Sequence, residues 1–199
     1  CSSDLDRLES SLPPIPEPVD WSANAFRWHK RAGRGTLHAV RRLNPIRLSD
    51  LTGIDEQKAQ VVSNTQRFLA GFPANNVLLT GARGSGKSSI VKALLNAFAT
   101  QGLRLIETDK ADLVDLPEII ERIQDRPERF IIFCDDLSFD AGETGYKALK
   151  VALDGSLAAA PDNLLIYATS NRRHLLPEFM SENLETRHVG EEVHPGEAT

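Results

Sequence analysis

The chain has 199 residues, of which 41% are hydrophobic and 26% charged, the balance of a soluble globular domain with one core. No apolar run is long enough to span a bilayer, no signal-peptide pattern opens the chain, and Cys1 and Cys134 are too few for a disulfide framework. These features exclude membrane-spanning and disulfide-stapled classes and lead to an expected cytoplasmic setting, with no membrane partner. The net charge of −5 is unevenly spread: residues 1–20 carry five acidic side chains and one basic, whereas residues 21–47 carry seven basic and no acidic ones.

Residues 1–47 are expected to form an extended, basic N-terminal arm. Pro13, Pro14, Pro16 and Pro18 forbid a regular helix at its start. Trp21, Phe26 and Trp28 are interleaved with Arg27, Lys30, Arg31, Arg34, Arg41, Arg42 and Arg47. Aromatics among cations can stack on bases and pair with phosphates. Three aromatics are few, however, and the preferred reading has them packing onto the core while the charges stay solvated.

A helical period runs through Val61, Val62, Phe68 and Leu69 and stops at Gly71 and Pro73. Four apolar runs then read as strands: Val77–Thr80, Leu103–Thr108, Phe130–Cys134 and Leu164–Thr169. Helical patterns separate them, one through Ile90, Val91, Leu94, Leu95 and Phe98, one through Ile119, Ile120 and Ile123, and one through Leu149, Leu153 and Leu157. Strands alternating with helices predict an α/β protein, a three-layer sandwich around a parallel sheet. The core is expected over residues 48–182, and the polar, unpatterned residues 183–199 as a loop or disordered tail. With no strand following Leu164–Thr169, Val77–Thr80 is expected at an open sheet edge.

The first strand leads into Gly81-Ala82-Arg83-Gly84-Ser85-Gly86-Lys87-Ser88-Ser89, which meets the pattern G-x-x-x-x-G-K-[ST] with the required strand before and helix after. Glycines admit positive φ and let the backbone approach a phosphate, and the following helix N-terminus favours negative charge. Lys87 is placed to reach the β- and γ-phosphates and Ser88 to coordinate Mg²⁺. Arg83 is either a phosphate contact or a solvated loop residue. The third strand ends in Asp135-Asp136. Asp135 is the candidate second oxygen donor for Mg²⁺, and Asp136 the group that orients or activates an attacking water. Asn171, at the end of the fourth strand, can hydrogen-bond a γ-phosphate or that water without adding charge. In a parallel sheet all of these lie at the carboxyl ends of strands, where ligands bind.

This set resembles the Walker A, Walker B and sensor 1 motifs of AAA+ ATPases, over roughly residues 47–180. The resemblance implies a P-loop NTPase core that binds ATP/ADP with Mg²⁺, hydrolyses ATP as a homo-oligomer, and acts on a protein or nucleic-acid client. It also implies that Leu48–Asp55, with Gly53 and Ile54, flanks the adenine. Phrases such as Asn75-Asn76-Val77-Leu78-Leu79 and Ala168-Thr169-Ser170-Asn171-Arg172-Arg173-His174 resemble a group of bacterial AAA+ proteins of unknown cellular function.

Two departures bear on that implication. The second Walker B acid is Asp136 rather than Glu, the form seen in replicative initiators, which implies ATP binding with slow turnover on DNA as the alternative function. The residues after Met180 match neither an arginine finger nor a helical lid; with a chain that opens at Cys1, they lead to the expectation of a truncated core with weak hydrolysis. A small-molecule kinase would call for an acceptor pocket and an Arg-rich lid, and a transporter ATPase for an LSGGQ-type signature, which is absent.

Overall fold

The computed structural model of the chain describes residues 18–31, 33–138, 144–154 and 161–171. Its six strands are β1 (Ala25–Arg31), β2 (Arg34–Val40), β3 (Val77–Thr80), β4 (Leu103–Glu107), β5 (Arg129–Cys134) and β6 (Leu164–Ser170). The helices are α1 (Asp55–Leu69), α2 (Lys87–Phe98), α3 (Leu116–Ile123) and α4 (Thr144–Asp154). The strands form one sheet in the order β2-β1-β4-β5-β6-β3.

The sheet is parallel from β1 to β3, and only the β1–β2 pair is antiparallel. Strands β3 to β6 arise from apolar runs; those of β5 and β6 are buried on both faces along almost their whole length, whereas on the outer strand β3 only Leu79 is buried. Alternation divides them between two cores. Phe130, Ile132 and Cys134 join Leu116, Ile119 and Ile123 of α3 and Leu149 of α4 on one face. Ile131 and Phe133 join Val61 and Phe68 of α1 and Ile90, Val91 and Leu94 of α2 on the other. Two helical layers therefore enclose the sheet, the three-layer α/β arrangement expected from the strand–helix alternation.

Residues 25–40 depart from the expected extended arm: they form the β1–β2 hairpin and extend the sheet beyond β4. The physical reason is one apolar face. Phe26 and Trp28 of β1 and Leu37 of β2 are buried in the first core, while Arg27, His29, Arg31, Arg34 and His38 stay exposed. Trp28 donates through Nε1 to buried Asp115 at 3.1 Å, and Gly35 lies directly beneath its indole, where a Cβ would come within 1.8 Å of Cζ2. The aromatics thus pack on the core, as preferred from sequence. Pro13, Pro14 and Pro16, and residues 172–199 with the expected tail, lie outside the described residues.

Strand β3 is the outer strand at the opposite end of the sheet, paired only with β6 among the described residues. It is tied in from below as well as sideways. Asn76 Oδ1 accepts the Ile166 N–H at 2.8 Å, continuing the pairing with a side chain. The buried Tyr167 hydroxyl meets Asn64 Nδ2 at 2.9 Å and Thr65 Oγ1 at 2.8 Å, which fixes α1 over β6. The strand that launches the glycine loop is thereby held in register with the strand that ends at Asn171.

Candidate functional site

Because β3, β5 and β6 run parallel, Gly81, Asp135 and Asn171 emerge at the same end of the sheet. They surround a cavity of about 340 Å³ lined by the glycine loop, Asp135, Asp136, Thr169 and Asn171. The loop turns through glycine conformations closed to most side chains: φ is 151° at Gly81, 80° at Gly84 and 87° at Gly86. Gly86 caps α2, whose first residues are Lys87, Ser88 and Ser89. Free amides of that first turn therefore face the cavity, the arrangement that stabilises an anion.

The Lys87 ammonium folds back into the loop. It donates to the carbonyls of Gly81 at 2.9 Å and Ala82 at 2.7 Å, to Ser85 Oγ at 3.3 Å and to Asn171 Oδ1 at 3.2 Å. Carbonyl partners can be exchanged for phosphate oxygens, which bind an ammonium more strongly because the acceptor is charged. The Ser85 N–H closes a turn onto the Ala82 carbonyl at 3.3 Å, and Arg83 and Gly84 are exposed at its crest.

Opposite the lysine, the Ser88 hydroxyl donates to Asp135 Oδ1 at 2.5 Å. Thr169 Oγ1 donates to the same oxygen at 2.5 Å, and the Asp136 N–H lies 3.2 Å from it. Partial burial pushes the Asp135 carboxyl upward, but these donors, helped by Lys92, outweigh it and hold the group below its ordinary value. Asp135 is therefore an anion at neutral pH beside a hydroxyl oxygen, a hard donor pair that fits Mg²⁺ when phosphate oxygens and water complete the shell. Among the described residues no group of three His, Cys, Asp or Glu side chains could hold a metal without such help.

Asp136 follows with φ 54°, the only positive φ at a non-glycine residue among those described. A left-handed aspartate costs on the order of 1–3 kcal/mol and persists where surroundings impose it. Its N–H donates to Thr169 Oγ1 at 2.9 Å, and its Oδ1 accepts from Asn171 Nδ2 at 2.5 Å. Asn171 thus links Asp136 to Lys87 across the mouth of the cavity.

The site residues read from sequence come together, with two at one side. Ile54 packs against Gly86, where a Cβ would meet its Cδ1 at 3.4 Å, and Gly53 precedes it with φ 76°. Ser89 is half-buried in the cavity wall. Arg172, Arg173 and His174 lie outside the described residues. Sequence reasoning assigned no task to Thr169, although a hydroxyl residue one step from the end of a wholly buried strand was the available signal. Cys134, beside Asp135, is an inert thiol: burial, with the nearby Asp109 and Asp135 charges, pushes it up to about 12.

Part of the chain is similar to a number of solved structures, among them the following three. The crystal structure of DnaI shares 21% identity over 63% of this chain and 69% of that one, with a TM-score of 0.43. The structure of C. elegans PCH-2 shares 20% identity over 64% and 38% of the two chains, with a TM-score of 0.45. A DNA replication initiation factor shares 17% identity over 72% and 48%, with a TM-score of 0.48. The matched region is less than half the length of the latter two chains. No curated protein matches the sequence. The model of a family described as a protein of unknown function, DUF815, matches residues 21–199, and the chain belongs to that family.

Proposed function

We propose that the chain is the nucleotide-binding core of an AAA+ ATPase. In this reading ATP sits with its phosphates in the loop from Gly81 to Ser89, Mg²⁺ is held from Ser88 and Asp135, and the adenine lies beside Gly53 and Ile54. One observation carries it: the Ser88 hydroxyl and the anionic Asp135 meet at 2.5 Å beside a glycine loop whose lysine points inward. Bound Mg²⁺ would neutralise phosphate charge. The chain's residues do the rest: Lys87 draws charge from the terminal phosphates, Asn171 fixes a hydrogen-bond partner there, and Asp136 accepts a proton from the attacking water. Hydrolysis by a homo-oligomer then drives a conformational change on a macromolecular client.

The Asp136–Asn171 hydrogen bond favours a second reading, a slow ATP-dependent switch of the initiator or loader kind acting on DNA. A carboxylate engaged at 2.5 Å by Asn171 must release that partner before it can serve a water. Binding would then exceed turnover in importance.

The test is ligand-linked stability. At a free ligand concentration about 100 times Kd, ATP with Mg²⁺ raises the melting temperature by roughly 5–10 °C. Lys87→Ala abolishes the rise. An unchanged melting temperature in the unmutated protein would sink the nucleotide assignment.

A further inference from the structure

Thr169 is 1% exposed, on the fully buried strand β6, yet its hydroxyl and its carbonyl are both engaged by the turn that follows β5. Its Oγ1 lies 2.5 Å from Asp135 Oδ1 and 2.9 Å from the Asp136 nitrogen, and its carbonyl accepts the Leu137 N–H at 2.6 Å. The direction of each bond follows from chemistry. An amide N–H can only donate, so the hydroxyl oxygen accepts from Asp136, and its single proton must go to Asp135, which as a carboxylate only accepts. Three consecutive residues are therefore pinned by one side chain and its own carbonyl.

We infer that Thr169 is the positioning residue of this site, setting the metal-side carboxylate and the water-side carboxylate with one hydroxyl. Its proton holds Asp135 Oδ1 where the Ser88 hydroxyl also reaches it. Its lone pair holds the Asp136 N–H and with it the left-handed φ of 54° that sends the Asp136 side chain to Asn171 rather than along the strand direction. A packing residue at this place would need only shape, which valine reproduces; the two bonds need the hydroxyl. Thr169 touches neither Lys87 nor the loop in any described bond, so its influence falls on the cation and the water and not on the phosphates.

This inference rests on the ATP–Mg²⁺ reading above, and the experiment separates the two. Affinity for a fluorescent ATP analogue is measured with excess Mg²⁺ and with EDTA for the unmutated chain, Thr169→Val and Thr169→Ser. Expected is metal-free affinity within about twofold for all three, the span of a change that touches no phosphate contact. The gain in affinity on adding Mg²⁺ falls about tenfold in Thr169→Val, the size of one charge-assisted hydrogen bond, and is kept by Thr169→Ser. No binding by the unmutated chain overturns the nucleotide reading itself. If the unmutated chain binds, a Thr169→Val Mg²⁺ gain equal to its own overturns the positioning role alone. So does a loss in Thr169→Val that is equal with and without Mg²⁺, or one that Thr169→Ser shares.

Discussion

Lys87 and Asn171, 84 residues apart in sequence, meet at 3.2 Å, and the amide of Asn171 passes the contact on to Asp136 at 2.5 Å. The cation of the phosphate loop and the carboxylate of the β5 turn are thus joined through one neutral side chain. A γ-phosphate that draws Lys87 away would remove one bond from Asn171 while offering it another. In the proposed reading, binding at the loop would in this way be felt at Asp136.

The proposed reading gives Asp136 a task distinct from binding. Asp136→Asn keeps ATP affinity within about twofold, since the phosphate contacts are untouched, and lowers the hydrolysis rate by about 100-fold or more, the usual worth of a general base. Steady-state phosphate release and equilibrium nucleotide binding, measured on the same preparation, check it. Undiminished release rejects the assignment.

The hairpin has a separate weak point. Gly35→Ala places a Cβ where the Trp28 indole stands, at 1.8 Å, against a ring held by Asp115 and covered by Arg122. Overpacking of this kind costs about 2–3 kcal/mol. The urea midpoint by circular dichroism should fall accordingly, with the ATP-induced gain in melting temperature preserved. A midpoint unchanged from the parent would show that the hairpin contributes little to folding.

Acid sensitivity has an identifiable contributor at the other end of α3. The Arg126 guanidinium grips Glu128 at 2.8 Å and 3.0 Å and holds its carboxyl below the ordinary glutamate value. A carboxyl lowered on folding stabilises the protein above its unfolded pKa and loses that contribution as pH falls through the folded one. Melting temperature should therefore fall between about pH 5 and pH 3, less steeply in Glu128→Gln than in the parent. The two should differ most near neutrality and converge in acid. Parallel curves would refute the linkage.

Much of this architecture was legible in the residues. Phe130–Cys134 and Leu164–Thr169 announced buried parallel strands because both of their faces are apolar, Val77–Thr80 announced a strand by its apolar run before the glycine turn, and Gly81, Lys87, Ser88, Asp135 and Asn171 stood at or just beyond the ends of those strands. The edge position of β3 was legible for a different reason, that no further strand pattern follows Leu164–Thr169 to cover it. The β1–β2 hairpin was not, because every second residue of Ala25–Arg31 from Arg27 on is cationic or His and the apolar face holds only a few large side chains. The turn at Gly33, with φ 76°, separates two such runs and was the signal to be read. Thr169 was hidden for another reason. Its partners lie 33 and 34 residues upstream, and only the β5–β6 pairing brings them within a hydrogen bond.

Both tryptophans of the chain, Trp21 and Trp28, belong to the hairpin end of the sheet, whereas the phosphate loop hangs from β3 at the other end. Trp21 packs on Phe26 and Phe130 under the Arg126 guanidinium, and Trp28 is fully enclosed. The molecule therefore carries an optical reporter confined to one side of the sheet. Its intrinsic emission follows the docking of the β1–β2 hairpin and is remote from the cavity at the ends of β3, β5 and β6. Chemical unfolding followed by emission, with and without ATP, reads how firmly the two ends of the sheet are coupled, without a single added label.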